Sequence, residues 1–144
     1  MYKILFVCHG NICRSTMAEC IFKNMVKDSN NYLIDSCGIS SEETGNSIYP
    51  PAREILEKNN IPIVEHYARK ITYDDLDNFD YIVCMEQRHI DTILYRYGDN
   101  YKNKCKLLID NYDISDPWYT RDFKTCYKEI NEWCINLLKY LERR

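Results

Sequence analysis

The sequence predicts an α/β domain, a parallel sheet covered by helices on both faces, and three observations carry that expectation. Short apolar runs alternate with segments of helical periodicity, as strands and helices do in βαβ units. The runs are apolar throughout, which marks strands buried on both faces. No repeat, low-complexity tract or Gly/Ser/Pro-rich linker breaks the 144 residues, so a single domain over 1–144 is expected.

Ile4-Leu5-Phe6-Val7 is the first strand. From Ser15 the apolar spacing changes to three and four. Met17, Ala18, Ile21, Phe22, Met25 and Val26 share one helical face. Tyr32-Leu33-Ile34 is a second short strand, and 40–51, with Gly45 and two prolines, is a loop. Pro51 suits the first turn of a helix through Ala52, Ile55 and Leu56, which Asn59-Asn60 stops. Tyr81-Ile82-Val83-Cys84 is a third strand, followed by a helix over 86–97. Lys106-Leu107-Leu108-Ile109 is the fourth. A long amphipathic helix then carries Phe123, Tyr127, Ile130, Cys134, Leu137, Leu138 and Leu141. Right-handed crossovers between these strands give a four-stranded parallel sheet. Ligands bind such sheets beyond the carboxyl ends of the strands, so the turn after the first strand is the place to look for chemistry.

Composition narrows the function classes. Apolar residues make up 45% and charged residues 28%, ordinary for a globular protein and unlike a disordered or fibrous one. Net charge is −3, without long runs of either sign. A broad footprint for nucleic acid or anionic membrane is therefore not expected. The apolar run at 4–8 is too short for a signal-peptide core or a membrane span. A cytoplasmic location follows, with the eight cysteines read as thiols rather than disulfides. No C-x-x-C occurs, so neither a zinc ribbon nor a thioredoxin-type centre is expected, and no metal or cofactor is called for. Most of the cysteines are read as small buried hydrophobes.

The turn after the first strand reads Cys8-His9-Gly10-Asn11-Ile12-Cys13-Arg14-Ser15. Cys and Arg at this spacing carry little information alone; their place between a buried strand and a helix carries much more. Such a loop points successive N–H groups inward as an anion nest, with Gly10 at the tight turn. The following helix adds the positive end of its dipole. Arg14 forks onto two phosphate oxygens in a geometry lysine lacks. Helix end and arginine both favour thiolate over thiol at Cys8, and the Ser15 hydroxyl adds a hydrogen bond to the sulfur. A thiolate beneath a bound phosphate is an in-line nucleophile at phosphorus.

Sulfur attack expels an alkoxide or phenoxide, which needs a proton from a general acid. Asp110, Asp113, Asp116 and Asp122 all follow the fourth strand, on the correct edge of the sheet. Asp116 stands out because Pro117 biases it toward an extended backbone, and because Trp118 and Tyr119 can wall an aromatic leaving group. An aspartate before proline is also an ordinary turn former.

These residues resemble the low-molecular-weight protein tyrosine phosphatases. The likeness rests on Cys8 to Ser15 near the N-terminus and on Asp116-Pro117. Ile34-Asp35-Ser36, Gly45-Asn46, the run from His66 to Thr72 and the run from Phe79 to Met85 add to it, across essentially the whole chain. The resemblance implies a four-stranded parallel sheet with the phosphate-binding loop after its first strand. It also implies a cofactor-free enzyme acting on phosphotyrosine-containing proteins or peptides, with inorganic phosphate and vanadate-type oxyanions as inhibitors. By that likeness Cys8 forms a phosphocysteine, Arg14 clamps the phosphoryl group, and Asp116 protonates the leaving oxygen and then activates water. Asn11, Ser36 and His66 match positions that hold the loop, and Ser15 matches the thiolate-stabilising hydroxyl. Cys13 matches a second loop cysteine that traps Cys8 as a reversible disulfide; the other reading is a small residue packed at the helix start.

Some positions depart from that pattern. His9 stands at the pocket rim where the family is usually apolar, and Trp118 replaces a tyrosine, leaving Tyr119 as the candidate there for regulatory phosphorylation. Glu42 and Glu43 are expected to line the entrance and disfavour acidic phosphopeptides. Two rival functions are an arsenate reductase on the same fold, which needs resolving cysteines in a mobile segment, and a non-catalytic phosphoprotein-binding module, which needs neither nucleophile nor acid.

Overall fold

The computed structural model describes residues 1–143. Its elements are β1 (Tyr2–Cys8), α1 (Arg14–Met25), β2 (Tyr32–Gly38), α2 (Pro50–Lys58), α3 (Tyr73–Asn78), β3 (Tyr81–Cys84), α4 (Gln87–Tyr97), a 3-10 helix (Asp99–Lys104), β4 (Cys105–Leu107), α5 (Pro117–Thr120) and α6 (Phe123–Glu142). The strands form one sheet in the order β2-β1-β3-β4, every pair parallel.

The interior place of β1 explains its unbroken apolar run. Ile4 to Val7 are fully buried, with alternate side chains on opposite faces. Ile4 and Phe6 pack into the core shared with α1, α2 and α6. Leu5 and Val7 pack with Leu76 of α3 and Ile90 and Ile93 of α4. Each such side chain contributes on the order of 1.5–3 kcal/mol on burial. The expected α/β architecture is thus present, with helices on both faces.

Boundaries differ from the sequence reading where side chains serve something other than the core. Strand β2 runs on to Gly38, past the apolar stretch at 32–34, because Asp35 and Ser36 are polar residues of the strand committed to the site. The fourth strand occupies Cys105–Leu107 rather than 106–109. Leu108 still donates to the Cys84 carbonyl at 2.9 Å, after which the chain turns, with Tyr112 N–H on the Ile109 carbonyl. Helix α3 was not anticipated. It is six residues long, too short for apolar periodicity, and is set by a capping box between Thr72 and Asp75. The one-turn α5 begins at Pro117 with Asp116 as its N-cap, whose Oδ1 accepts the Trp118 N–H at 3.0 Å.

Candidate active site

The carboxyl ends of β1, β2 and β3 meet at one edge, where Val7 pairs with Cys84 and Cys8 with Gly38. Gly38 has no room for a side chain. A Cβ there would lie 2.6 Å from the His9 carbonyl oxygen and 3.3 Å from the Asn11 nitrogen. Its lack of a Cβ lets the loop after β1 lie against β2. The sequence reading did not single out this glycine.

The tight turn in that loop falls at Asn11, φ 63°, rather than at Gly10 as expected. Asparagine tolerates the left-handed region, and here its amide is held at every position. Asn11 Nδ2 donates to Ser15 Oγ at 2.8 Å and Ser36 Oγ at 3.0 Å. Its Oδ1 accepts from His66 Nε2 at 2.7 Å and from the Arg69 N–H at 3.2 Å. The smallness of Gly10 has another use, since a Cβ there would stand 3.3 Å from the Glu43 side chain.

Cys8 ends β1, nearly buried, and its Sγ lies 2.9 Å from Ser15 Oγ. The Asn11 N–H also donates to this sulfur, at 3.3 Å. Because Ser15 Oγ accepts from Asn11, its own proton is left for the sulfur. Helix α1 starts at Arg14 with Cys13 as N-cap, so its positive end faces the loop.

Arg14 is a fully buried arginine. Its Nη1 donates to Glu86 Oε2 at 2.6 Å and to the Ile114 carbonyl at 2.7 Å, and Nη2 stands 3.3 Å from Asp116 Oδ2. Burial by itself would lower its pKa; the Cys8 sulfur, Asp116 and Glu86 outweigh that and raise it. Burial likewise works to raise the Glu86 carboxyl, yet the Arg14 hydrogen bond and charge hold it below the usual range. Glu86 follows β3 at the same sheet edge that made the four aspartates candidates. Applied to β3, that rule finds it.

Those aspartates separate cleanly. Asp113 accepts the Gln87 N–H at 2.8 Å at the start of α4, and Asp122 caps α6 through Thr125 at 3.0 Å. Asp110 lines a groove beside β4 and α4. Asp116 lines the pocket with Cys8 to Arg14 of the loop, together with Glu42, Glu43, Trp118 and Tyr119. The cavity volume of this pocket is about 130 Å³. Tyr49 backs its aromatic wall: its ring packs tilted against Trp118 with centroids 4.8 Å apart, its N–H donates to the Ile12 carbonyl at 2.9 Å, and Arg121 lies over it at 5.3 Å. At the rim His9 Nε2 is 3.6 Å from Glu42 Oε2, and Glu43 Oε2 accepts from Asn46 at 2.6 Å.

A second layer supports the loop. Ser36 Oγ donates to Glu19 Oε1 at 2.6 Å, and Lys23 donates to Glu19 Oε2 at 2.6 Å. Arg69 binds Asp75 through both nitrogens and Asp35 at 2.9 Å. Glu19 is a buried acid inside an apolar helical stripe, a signal the periodicity reading passed over. Oxygens of Glu19 and Asp35 and a nitrogen of His66 lie within 4.8 Å of one another, metal-ligand spacing. Lys23, Ser36 and Arg69 already engage those carboxylates, so the cluster works as a hydrogen-bond network. All eight cysteines are free thiols, and all but Cys105 are buried. Burial first, then the nearby Cys8 and Asp116, push the Cys13 thiol up. Among the described residues no helix is long and apolar enough to cross a membrane.

Sheet order, loop and pocket define an α/β protein with an anion-nest turn at the carboxyl edge of its sheet. Comparison with known proteins makes this specific. Residues 3–144 match the family model described as low molecular weight phosphotyrosine protein phosphatase. The low molecular weight phosphotyrosine protein phosphatase of Homo sapiens is 36% identical over 95% of this chain and 94% of its own. The low molecular weight protein-tyrosine-phosphatase YfkJ of Bacillus subtilis is 34% identical over 99% and 97%. The YfkJ crystal structure superposes with a TM-score of 0.94 over 99% of this chain and 96% of that one, at 33% identity. The low molecular weight protein tyrosine phosphatase of Streptococcus pyogenes gives 0.91 over 98% and 93%, at 34% identity. The chain belongs to the low molecular weight phosphotyrosine protein phosphatase family, a family of phosphatase enzymes.

Proposed function

We propose that the protein hydrolyses phosphotyrosine in proteins or peptides, and related aryl phosphomonoesters, through a phosphocysteine on Cys8, with residues 1–144 acting as one catalytic domain in the cytoplasm. The observation that carries this reading is the convergence of Cys8, Arg14 and Asp116 on one pocket.

In the first step the Cys8 sulfur attacks phosphorus. The S–P bond forms, the P–O bond to the phenol breaks, and the proton of Asp116 goes to the leaving oxygen. Nη1 of Arg14 is committed to Glu86 and Ile114, which leaves the Nε and Nη2 side of the fork for the equatorial oxygens. In the second step the Asp116 carboxylate takes a proton from water as that water attacks phosphorus. The S–P bond breaks and inorganic phosphate leaves. Inorganic phosphate and vanadate therefore inhibit by occupying the same cup.

A buried Cys84 inside β3 supports hydrolysis over a thiol relay to arsenate. Nucleophile and acid beside the arginine support catalysis over mere phosphoprotein binding. Tyr49, Trp118 and Tyr119 give the pocket an aromatic flank suited to a phenyl ring. Hydrolysis of p-nitrophenyl phosphate without added metal, by wild type and Cys8→Ser, tests the proposal. Turnover that requires Cys8 and is blocked by vanadate is expected. No turnover by folded, reduced wild type overturns it.

A further inference from the structure

Glu86, the acid that anchors Arg14, is the N-cap residue of α4, and its backbone N–H donates to His89 Nδ1 at 3.2 Å. With Nδ1 accepting, the proton of the neutral ring resides on Nε2. His89 is completely buried, and its Nε2 has no hydrogen-bond partner among the described residues. Glu86 Oε2 stands 3.5 Å from it, and this is the same atom that accepts Arg14 Nη1 at 2.6 Å. Neither Glu86 nor His89 is part of the pocket lining. A buried donor without an acceptor is rare in a native fold and calls for a reason. Charging does not provide one. Burial first, then the Arg14 charge, with Arg88 and His9 adding and Glu86 opposing, hold the ring's pKa down to about 3.

We propose that His89 is a positioning residue for the phosphoryl clamp: its Nε2–H closes onto Glu86 Oε2 when a bound phosphoryl group draws Arg14 toward the pocket. Arg14 is shared among Glu86, the Ile114 carbonyl and Asp116. A phosphoryl dianion competes for that guanidinium, and Glu86 Oε2 loses part of its donor. His89 holds a replacement donor that gives up no existing bond. Contacts that are long in an empty site commonly tighten in the liganded one. Glu86 thereby remains a satisfied anion, and Arg14 keeps a fixed anchor while its other edge engages the substrate.

The inference rests on the phosphatase reading above, yet its trigger is only an oxyanion on Arg14, which inorganic phosphate or vanadate supplies. Two substitutions separate capping from positioning. His89→Asn keeps an acceptor for the Glu86 N–H but is too short to reach Oε2. His89→Gln places an amide N–H near the position of Nε2. Calorimetric titration with phosphate and vanadate is expected to show about 10- to 100-fold weaker binding in His89→Asn, the scale of one hydrogen bond to a charged group. The thermal midpoint should stay near wild type, and His89→Gln should recover most of the affinity. In wild type, the side-chain Nε2–H resonance of His89 is expected to move downfield on adding vanadate. If His89→Asn is folded and binds phosphate as wild type does, the proposal is wrong. If either variant fails to fold, the resonance decides, and a signal unmoved by saturating vanadate overturns the proposal. Failure of wild type to bind phosphate at all would instead remove the phosphatase reading.

Discussion

The Cys8 sulfur lies 2.9 Å from the Ser15 hydroxyl oxygen, and that hydroxyl is aligned by Asn11, whose Nδ2 donates to it at 2.8 Å. Ser15 therefore presents its proton to the sulfur, a bond worth most when the sulfur is an anion. Ser15→Ala is expected to lower kcat/KM at neutral pH by about 10- to 100-fold, from the ~1.5–3 kcal/mol of a hydrogen bond to a charged group. Phosphate affinity should change far less. Steady-state kinetics beside a phosphate titration make the check, and an equal loss in both would assign Ser15 to loop shape alone.

Asp116 is the one aspartate after β4 that lines the pocket, and it lies 3.3 Å from Arg14 Nη2. Asp116→Ala should slow phenyl phosphate by about 10²–10⁴-fold and p-nitrophenyl phosphate less at the first step, since the better leaving group needs the proton least. Equal losses across a leaving-group series would take the acid role away from Asp116.

Arg69 ties the second layer together, binding Asp75 at 2.8 Å while its backbone N–H holds Asn11 at 3.2 Å. Burial works to raise the Asp75 carboxyl, but Arg69 and Thr72 outweigh it and hold its pKa below the ordinary value. With the folded value depressed, its stabilisation is full above the unfolded pKa near 4 and is lost as pH falls through the folded value. Asp75→Asn should cost about 2–3 kcal/mol at pH 7, less than a fully buried pair because Arg69 is partly exposed. Urea unfolding at pH 7 and near pH 3 should show the gap narrowing at the lower pH.

The rim carries Glu42 and Glu43, with His9 at 3.6 Å from Glu42. Phosphopeptides with basic flanks should be preferred over acidic ones, and Glu42→Lys should reverse or level that ranking, more at low salt than at high. An unchanged ranking would leave the glutamates without a part in selection.

Cys13 is buried at the N-cap of α1, on the same loop as Cys8. Mild peroxide converts a Cys8 thiolate to sulfenic acid, and attack by the Cys13 sulfur then forms a disulfide with loss of water. Peptide mass spectrometry should find a Cys8–Cys13 link that dithiothreitol reverses. Cys8 over-oxidised with Cys13 untouched would leave Cys13 as a packed residue at the helix start.

What was legible in the sequence follows physical rules that act over short range. Ile4 to Val7 announce a strand buried on both faces, and the turn that follows announces an anion nest. Cys8, Arg14 and Ser15 could be singled out because strand, turn and helix are contiguous there. The supports were harder to read. Glu19 and Glu86 gain their meaning from partners 17 and 72 residues away, Ser36 and Arg14. Gly38 matters only through the backbone lying against it. Asn11 took the turn assigned to Gly10 because its amide bonds stabilise the left-handed backbone, which φ preference alone does not reveal.

The central claim is a covalent phosphocysteine, and the most direct test is to trap it. Asp116→Ala should form the intermediate from p-nitrophenyl phosphate yet hydrolyse it slowly, so that rapid quenching followed by peptide mass spectrometry catches the modified residue. Phosphate on Cys8, absent from Cys8→Ser, is the predicted result. Phosphate on Ser15 or His9, or release of one p-nitrophenol per phosphate with no phosphoenzyme in a variant that still turns over, would contradict it.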